Sequence, residues 1–129
     1  MKNRVAVDSR AILPGDLFVA LPGAKTDGHH FLHEARLKGA NAALIRSDFS
    51  GDIPEGLTII RVDDTLEALQ KMAKEKIEKS SAKVLALTSS VGKTTTKEFI
   101  KTLVSSTYKT FATEGSQNSQ IVLAHSVLN

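Results

Sequence analysis

The chain has no cysteine and no tryptophan among its 129 residues, and only three prolines. Without thiols it forms no disulfide and no thiolate metal centre. Aromatic residues make up 5% of the chain, too few to build a platform on which nucleic-acid bases stack. Neither sign of charge dominates: 17 Lys and Arg stand against 14 Asp and Glu, giving a net charge of +3 with both signs interspersed. That balance is too mild to point to nucleic acid or a membrane surface as a partner. Long apolar runs are missing too. No N-terminal stretch has the form of a signal peptide and none could span a bilayer, so a cytoplasmic location is expected. What is present is ordinary for a globular chain, 41% hydrophobic and 24% charged, with room for one small domain or one domain plus a piece of another.

One stretch organises the rest. Residues 84–87 form a short apolar run, as expected for a strand covered on both faces. Phe99, Ile100, Leu103 and Val104 then recur at helical spacing. Between them sits Gly92-Lys93-Thr94-Thr95, the core of a phosphate-binding loop. A glycine there lets backbone approach an anion, and the N–H groups and dipole of a helix start attract it. Lys93 can bridge the outer phosphates, and the Thr94 hydroxyl can ligate Mg2+. The bland reading is an ordinary helix start with capping threonines and a lysine in water. The spacing also departs from the usual patterns. Leu87 stands where the common loop has its first glycine, and Ala86 and Ser89 stand at the first two glycine positions of a G-x-x-G-x-x-G-K-[ST] variant.

Upstream, strands are expected over residues 4–7, 17–21, 42–45 and 57–62. Leu13-Pro14-Gly15-Asp16 reads as a turn, because Pro presets φ and Gly accepts a positive one. Phe31, Leu32, Ala35 and Leu37 suggest a short helix stopped by Gly39, and residues 46–56 a loop. Asp64, with Glu67 three residues on, caps a helix whose apolar face is Leu66, Leu69, Met72, Ala73 and Ile77. Residues 78–83 read as a linker, residues 108–112 as a strand and residues 121–128 as a helix. His29, His30 and His33 lack carboxylate or cysteine partners at ligand spacing, and are expected to face solvent or substrate rather than a metal.

The order Val7-Asp8-Ser9-Arg10, Pro14-Gly15-Asp16-Leu17-Phe18-Val19-Ala20-Leu21, Gly23, Asp27-Gly28-His29, Phe31, Ala35 and Gly39-Ala40 resembles the N-terminal domain of the Mur ligases. Residues 88–98 resemble that family's ATP loop, and Gln117-Asn118-Ser119-Gln120-Ile121 an asparagine-rich segment that follows it. The serine-valine pair and the Thr-Lys-Glu tail of the loop favour the branch that handles D-alanyl-D-alanine over the branch that adds one amino acid. The resemblance implies an α/β fold. A small UDP-substrate-binding domain would span residues 1–77, and the truncated start of a P-loop nucleotide-binding domain residues 84–129. It also implies an ATP- and Mg2+-dependent ligase of peptidoglycan precursor synthesis, acting as a monomer on UDP-N-acetylmuramoyl-tripeptide and D-alanyl-D-alanine through an acyl phosphate.

Residue by residue, the resemblance assigns ATP binding to Ser89, Ser90, Val91, Gly92, Lys93, Thr94 and Thr95, catalysis to Lys93 and metal ligation to Thr94. It assigns substrate binding to Asp8, Ser9, Arg10, Asp27, Gly28, His29 and Asn118. Read alone, Asp8-Ser9-Arg10 is equally a strand-end turn with a local ion pair, and Asn118 a loop cap. Departures include Ser119 where a second asparagine is usual, and Val122 and Ala124 where glycine and proline are usual. The chain is expected to be incomplete and inactive alone. A non-catalytic remnant that only binds a UDP-sugar peptide is the alternative; another P-loop enzyme would leave the segment 8–40 unexplained.

Overall fold

The computed structural model describes residues 4–23, 25–87, 91–113 and 120–129. Four parallel strands form one sheet in sequence order: β1 (Val5–Ala6), β2 (Leu17–Val19), β3 (Ala42–Arg46) and β4 (Thr58–Val62). The register runs Val5 to Leu17 to Ala42 to Thr58 across the sheet. Helices α1 (Leu32–Leu37), α2 (Thr65–Glu78), α3 (Lys93–Ser105) and α4 (Gln120–Leu128) complete the structure, with short 3-10 turns at Ser9–Ala11 and Gly28–Phe31.

The strands read as continuous apolar runs because both faces of the sheet are covered. Ala6, Phe18, Ala43 and Ile45 point to one side, where Leu32 and Ala35 of α1 meet them. Val5, Leu17, Val19 and Leu44 point to the other, against Leu69 and Ala73 of α2 and Ala124 of α4. The period-2 alternation thus feeds two apolar layers. Asp64 caps α2 as expected, its carboxylate accepting from the N–H groups of Leu66 and Glu67 at 2.8 and 2.9 Å. The turn before β2 is tied down by Asp16, which is buried, accepts from the Leu13 N–H at 2.8 Å and pairs with Arg4 at 3.0 Å.

Two expected strands do not form. Residues 84–87 and 108–112 carry no strand, and Val84, Leu85, Tyr108 and Phe111 are each about two-thirds exposed or more. A strand exists through its hydrogen-bonded neighbour, and no described strand lies beside either segment. The expected strand–loop–helix unit is therefore present only as its helix. No residue of α3 is buried, and Phe99 and Leu103 lie open at 65% and 59% exposure. The residues between α2 and position 87 are exposed throughout. Helix α4, by contrast, packs into the layer formed with α2: Ala124 is 5% exposed, the Lys76 ammonium donates to the Leu128 carbonyl at 2.6 Å, and Gln70 donates to Gln120 at 2.9 Å.

Candidate functional site

In an open parallel sheet, ligands sit outside the carboxyl ends of the strands. Asp8, Ser9, Arg10, Asp27, Gly28 and His29, named from the sequence as substrate-side residues, fall there. Asp8, Ser9 and Arg10 follow β1, where Asp8 caps the 3-10 turn through the Arg10 N–H at 2.9 Å. The Arg10 guanidinium folds back on the same carboxylate, with Nη2 donating to Oδ2 at 2.7 Å and Nε to Oδ1 at 3.0 Å. This side-chain pairing, helped by the backbone bond, holds the Asp8 carboxyl down at about 2. The segment is a strand-end turn with a local ion pair, and the Arg10 side chain, 84% exposed, lies beyond the carboxyl end of β1. Ser9 is buried and faces the first helix. Its carbonyl accepts from Lys38 at 3.0 Å.

Asp27, Gly28 and His29 follow β2. Gly28 is a close-approach position: its N–H donates to the Leu21 carbonyl at 2.9 Å, and a Cβ there would lie 2.8 Å from backbone atoms of Leu21. Asp27 caps the next 3-10 turn through the His29 N–H at 3.0 Å. Expected to face solvent or substrate, His29 is instead buried, with its ring 2% exposed. Nδ1 lies 2.5 Å from Asp27 Oδ1, and Nε2 accepts the Arg46 backbone N–H at 3.0 Å. The Phe49 ring packs 4.9 Å from the imidazole. Burial pushes the Asp27 carboxyl up, but the backbone and ring hydrogen bonds from His29 outweigh it and leave Asp27 lowered.

Beside this cluster opens a cleft of about 280 Å³, lined by Asp27, His29, Arg46, Asp48, Phe49 and Gly51. Arg46 and Asp48 form an ion pair at its mouth. Sequence reasoning missed Arg46 and Phe49. Their signals were a cation at the end of an apolar run and a lone aromatic in a polar loop. His33 pairs with Asp52 at 2.7 Å, and among the described residues no cluster of three metal-ligating side chains occurs.

On the nucleotide side, Gly92 has a left-handed φ of 78°, and among the described residues nothing lies within 4 Å of where its Cβ would be. Helix α3 starts at Lys93, and among the described residues no side chain caps it, which leaves its first N–H groups available to an anion there. Among the described residues no carboxylate pairs with Lys93, and Thr94 and Thr95 are exposed. A phosphate brought to the start of α3 would meet these groups, and Thr94 would be the residue to ligate Mg2+. Ser89, Ser90 and Asn118 lie outside the described residues. Among the described residues no hydrogen bond joins Lys93, Thr94 or Thr95 to the substrate-side group.

A family model described as "Mur ligase family, catalytic domain" matches residues 3–77, more than half of the chain. The UDP-N-acetylmuramoyl-tripeptide–D-alanyl-D-alanine ligase of Rickettsia prowazekii is 42% identical over 121 residues, covering 94% of this chain and 26% of the relative. That of Treponema pallidum is 43% identical over 131 residues, covering 95% of this chain and 28% of the relative. Among solved structures, the MurF ligase of Thermotoga maritima in complex with ADP superposes with a TM-score of 0.86 at 34% identity. It covers 99% of this chain and 29% of that one. The chain thus spans about a quarter of the length of the proteins it matches.

Proposed function

The chain belongs to the Mur ligase family, and from that premise we propose that it supplies the UDP-substrate end and the ATP loop of a MurF-type ligase. The reaction would join D-alanyl-D-alanine to UDP-N-acetylmuramoyl-tripeptide in the cytoplasm. The observation that carries this reading is the reach of the similarity. It spans 99% of the chain, so the strand-end residues and the Gly92-Lys93 segment both fall inside the stretch similar to one ligase.

The chemistry runs in two steps. The terminal carboxylate of the tripeptide attacks the γ-phosphorus of ATP, giving an acyl phosphate and ADP. The amine of D-alanyl-D-alanine then attacks the acyl carbon, releasing phosphate and a proton and forming the amide. Lys93 and the open N–H groups of α3 would hold the phosphoryl oxygens as charge moves onto the leaving ADP. Mg2+ at Thr94, when bound, would neutralise part of that charge. Asp8, Ser9, Arg10 and Asp27 would hold the UDP end. Val91 and Gly92 would shape the loop backbone.

The 129 residues alone are expected to be inactive, because the helix carrying Lys93 buries no residue and so has no packed face to orient its phosphate-binding groups. The test is a chimera in which this chain replaces the matching 29% of the Thermotoga maritima ligase. The expected result is ADP release that depends on D-alanyl-D-alanine. Release that depends instead on a single amino acid, or none from a chimera that folds, overturns the reading.

A further inference from the structure

We propose that His29 is a positioning residue rather than a ligand contact. It pins Asp27 to the exit of β3, so that the Asp27 carboxylate and the Arg46 guanidinium face one cleft at a fixed spacing and receive the nucleotide end of the substrate there. The inference rests on the UDP-substrate reading above and deepens it.

Three observations carry it. Both ring nitrogens of His29 are used inside the protein, Nδ1 toward Asp27 at 2.5 Å and Nε2 accepting from the Arg46 N–H at 3.0 Å. The ring is 2% exposed, so no ligand atom reaches it without displacing one of these bonds. The two residues it joins both keep charge toward solvent, each with a side chain 42% exposed, and Asp48, paired with Arg46, adds a second carboxylate to the cleft.

The bond pattern also fixes the tautomer. Nε2 must lack a proton to accept an N–H, so the proton sits on Nδ1 and donates to Asp27. That bond occupies Oδ1 and leaves Oδ2 as an acceptor. Arg46 pairs with Asp48 through one nitrogen, and a guanidinium has further donors to offer. An acceptor and a donor fork lining one cleft suit a ligand that carries hydroxyl or ring N–H donors at one end and phosphate oxygens at the other. A nucleoside diphosphate is such a ligand. Phe49 lines the cleft too, its ring 4.9 Å from the His29 imidazole and close to Gly51.

The test is nitrogen-15 NMR of the full chain with UDP as the probe. Without ligand, His29 should show the Nδ1–H tautomer. On adding UDP, backbone signals of Asp27, Arg46 and Phe49 should move while the ring nitrogens of His29 keep their protonation pattern. Two variants separate the bonds. His29→Asn retains a donor toward Asp27, and His29→Gln reaches toward Arg46. Each should weaken UDP binding by about tenfold, with the remaining bond still seen by amide exchange. A change of tautomer when UDP binds would overturn the inference, as would an Nε2–H ring in the free chain. Folded variants that bind UDP like the parent would overturn it too. Shifts confined to residues 8–10 would overturn it and leave the proposed function standing. No shift anywhere would overturn both.

Discussion

The side-chain amide of Asn129 meets the backbone of Val5 at both of its polar atoms. Oδ1 accepts the Val5 N–H and Nδ2 donates to the Val5 carbonyl, each at 3.0 Å. A neighbouring strand would use the same two groups, so the amide occupies part of the open edge of β1. It also fixes the end of α4 to the sheet, while Ala124 seats the middle of that helix against the layer formed with α2. The chain leaves this layer after α2, forms the exposed α3, and comes back to it with α4.

That return predicts a contrast between adjacent residues. Ala124→Asp puts an unpaired carboxylate where the side chain is 5% exposed, and should cost about 3 kcal/mol in urea unfolding. Leu123→Asp, at a position 59% exposed, should change stability by less than about 0.5 kcal/mol. Asn129→Ala should cost about 1 kcal/mol and speed exchange of the Val5 amide.

Asp8 supplies a pH prediction. Its folded-state pKa lies at about 2 against an ordinary 3.8. A lowered carboxyl contributes stability above its ordinary pKa and loses it as pH falls through the folded value, here between about 4 and 2. A carboxyl NMR titration should place the Asp8 midpoint at the low end of that window. Arg10→Ala should return it toward the ordinary range, because the guanidinium is the largest cause of the shift.

Gly28→Ala should disturb the turn that carries Asp27. The added Cβ would meet the Leu21 backbone at 2.8 Å, and backbone cannot swing aside as a side chain can. A loss of about 2 kcal/mol is expected, with the amide signals of Asp27 and His29 moving most.

Lys93→Ala should separate binding from folding. The helix it begins buries no residue, so the unfolding midpoint should stay where it is. ATP binding measured by titration calorimetry should fall by at least tenfold, since the ammonium is the point charge offered to the phosphates. A lower unfolding midpoint with unchanged ATP affinity would show that Lys93 holds the fold instead.

Much of this architecture is legible in the sequence where the cause is local. The Asp64 cap, the Gly39 stop and the apolar runs of the four strands depend on neighbours a few residues away, and each stands where local chemistry places it. The misses share a different cause. Residues 84–87 have the pattern of a buried strand, but a pattern does not supply the neighbour that makes one. His29 looks polar and exposed in a run of histidines. Only the approach of β3, 17 residues on, gives its Nε2 a partner and buries the ring. Helix α4 shows its apolar length in sequence but not that its seat lies on α2.

The most direct test of the whole account is titration of the isotope-labelled chain with UDP-N-acetylmuramoyl-tripeptide. The account predicts saturable shifts at the strand ends, at Ser9 and Arg10 after β1 and at Asp27 and Arg46 around the cleft, with the exposed face of α3 unmoved. Absence of saturable binding, or shifts confined to α3, would contradict it.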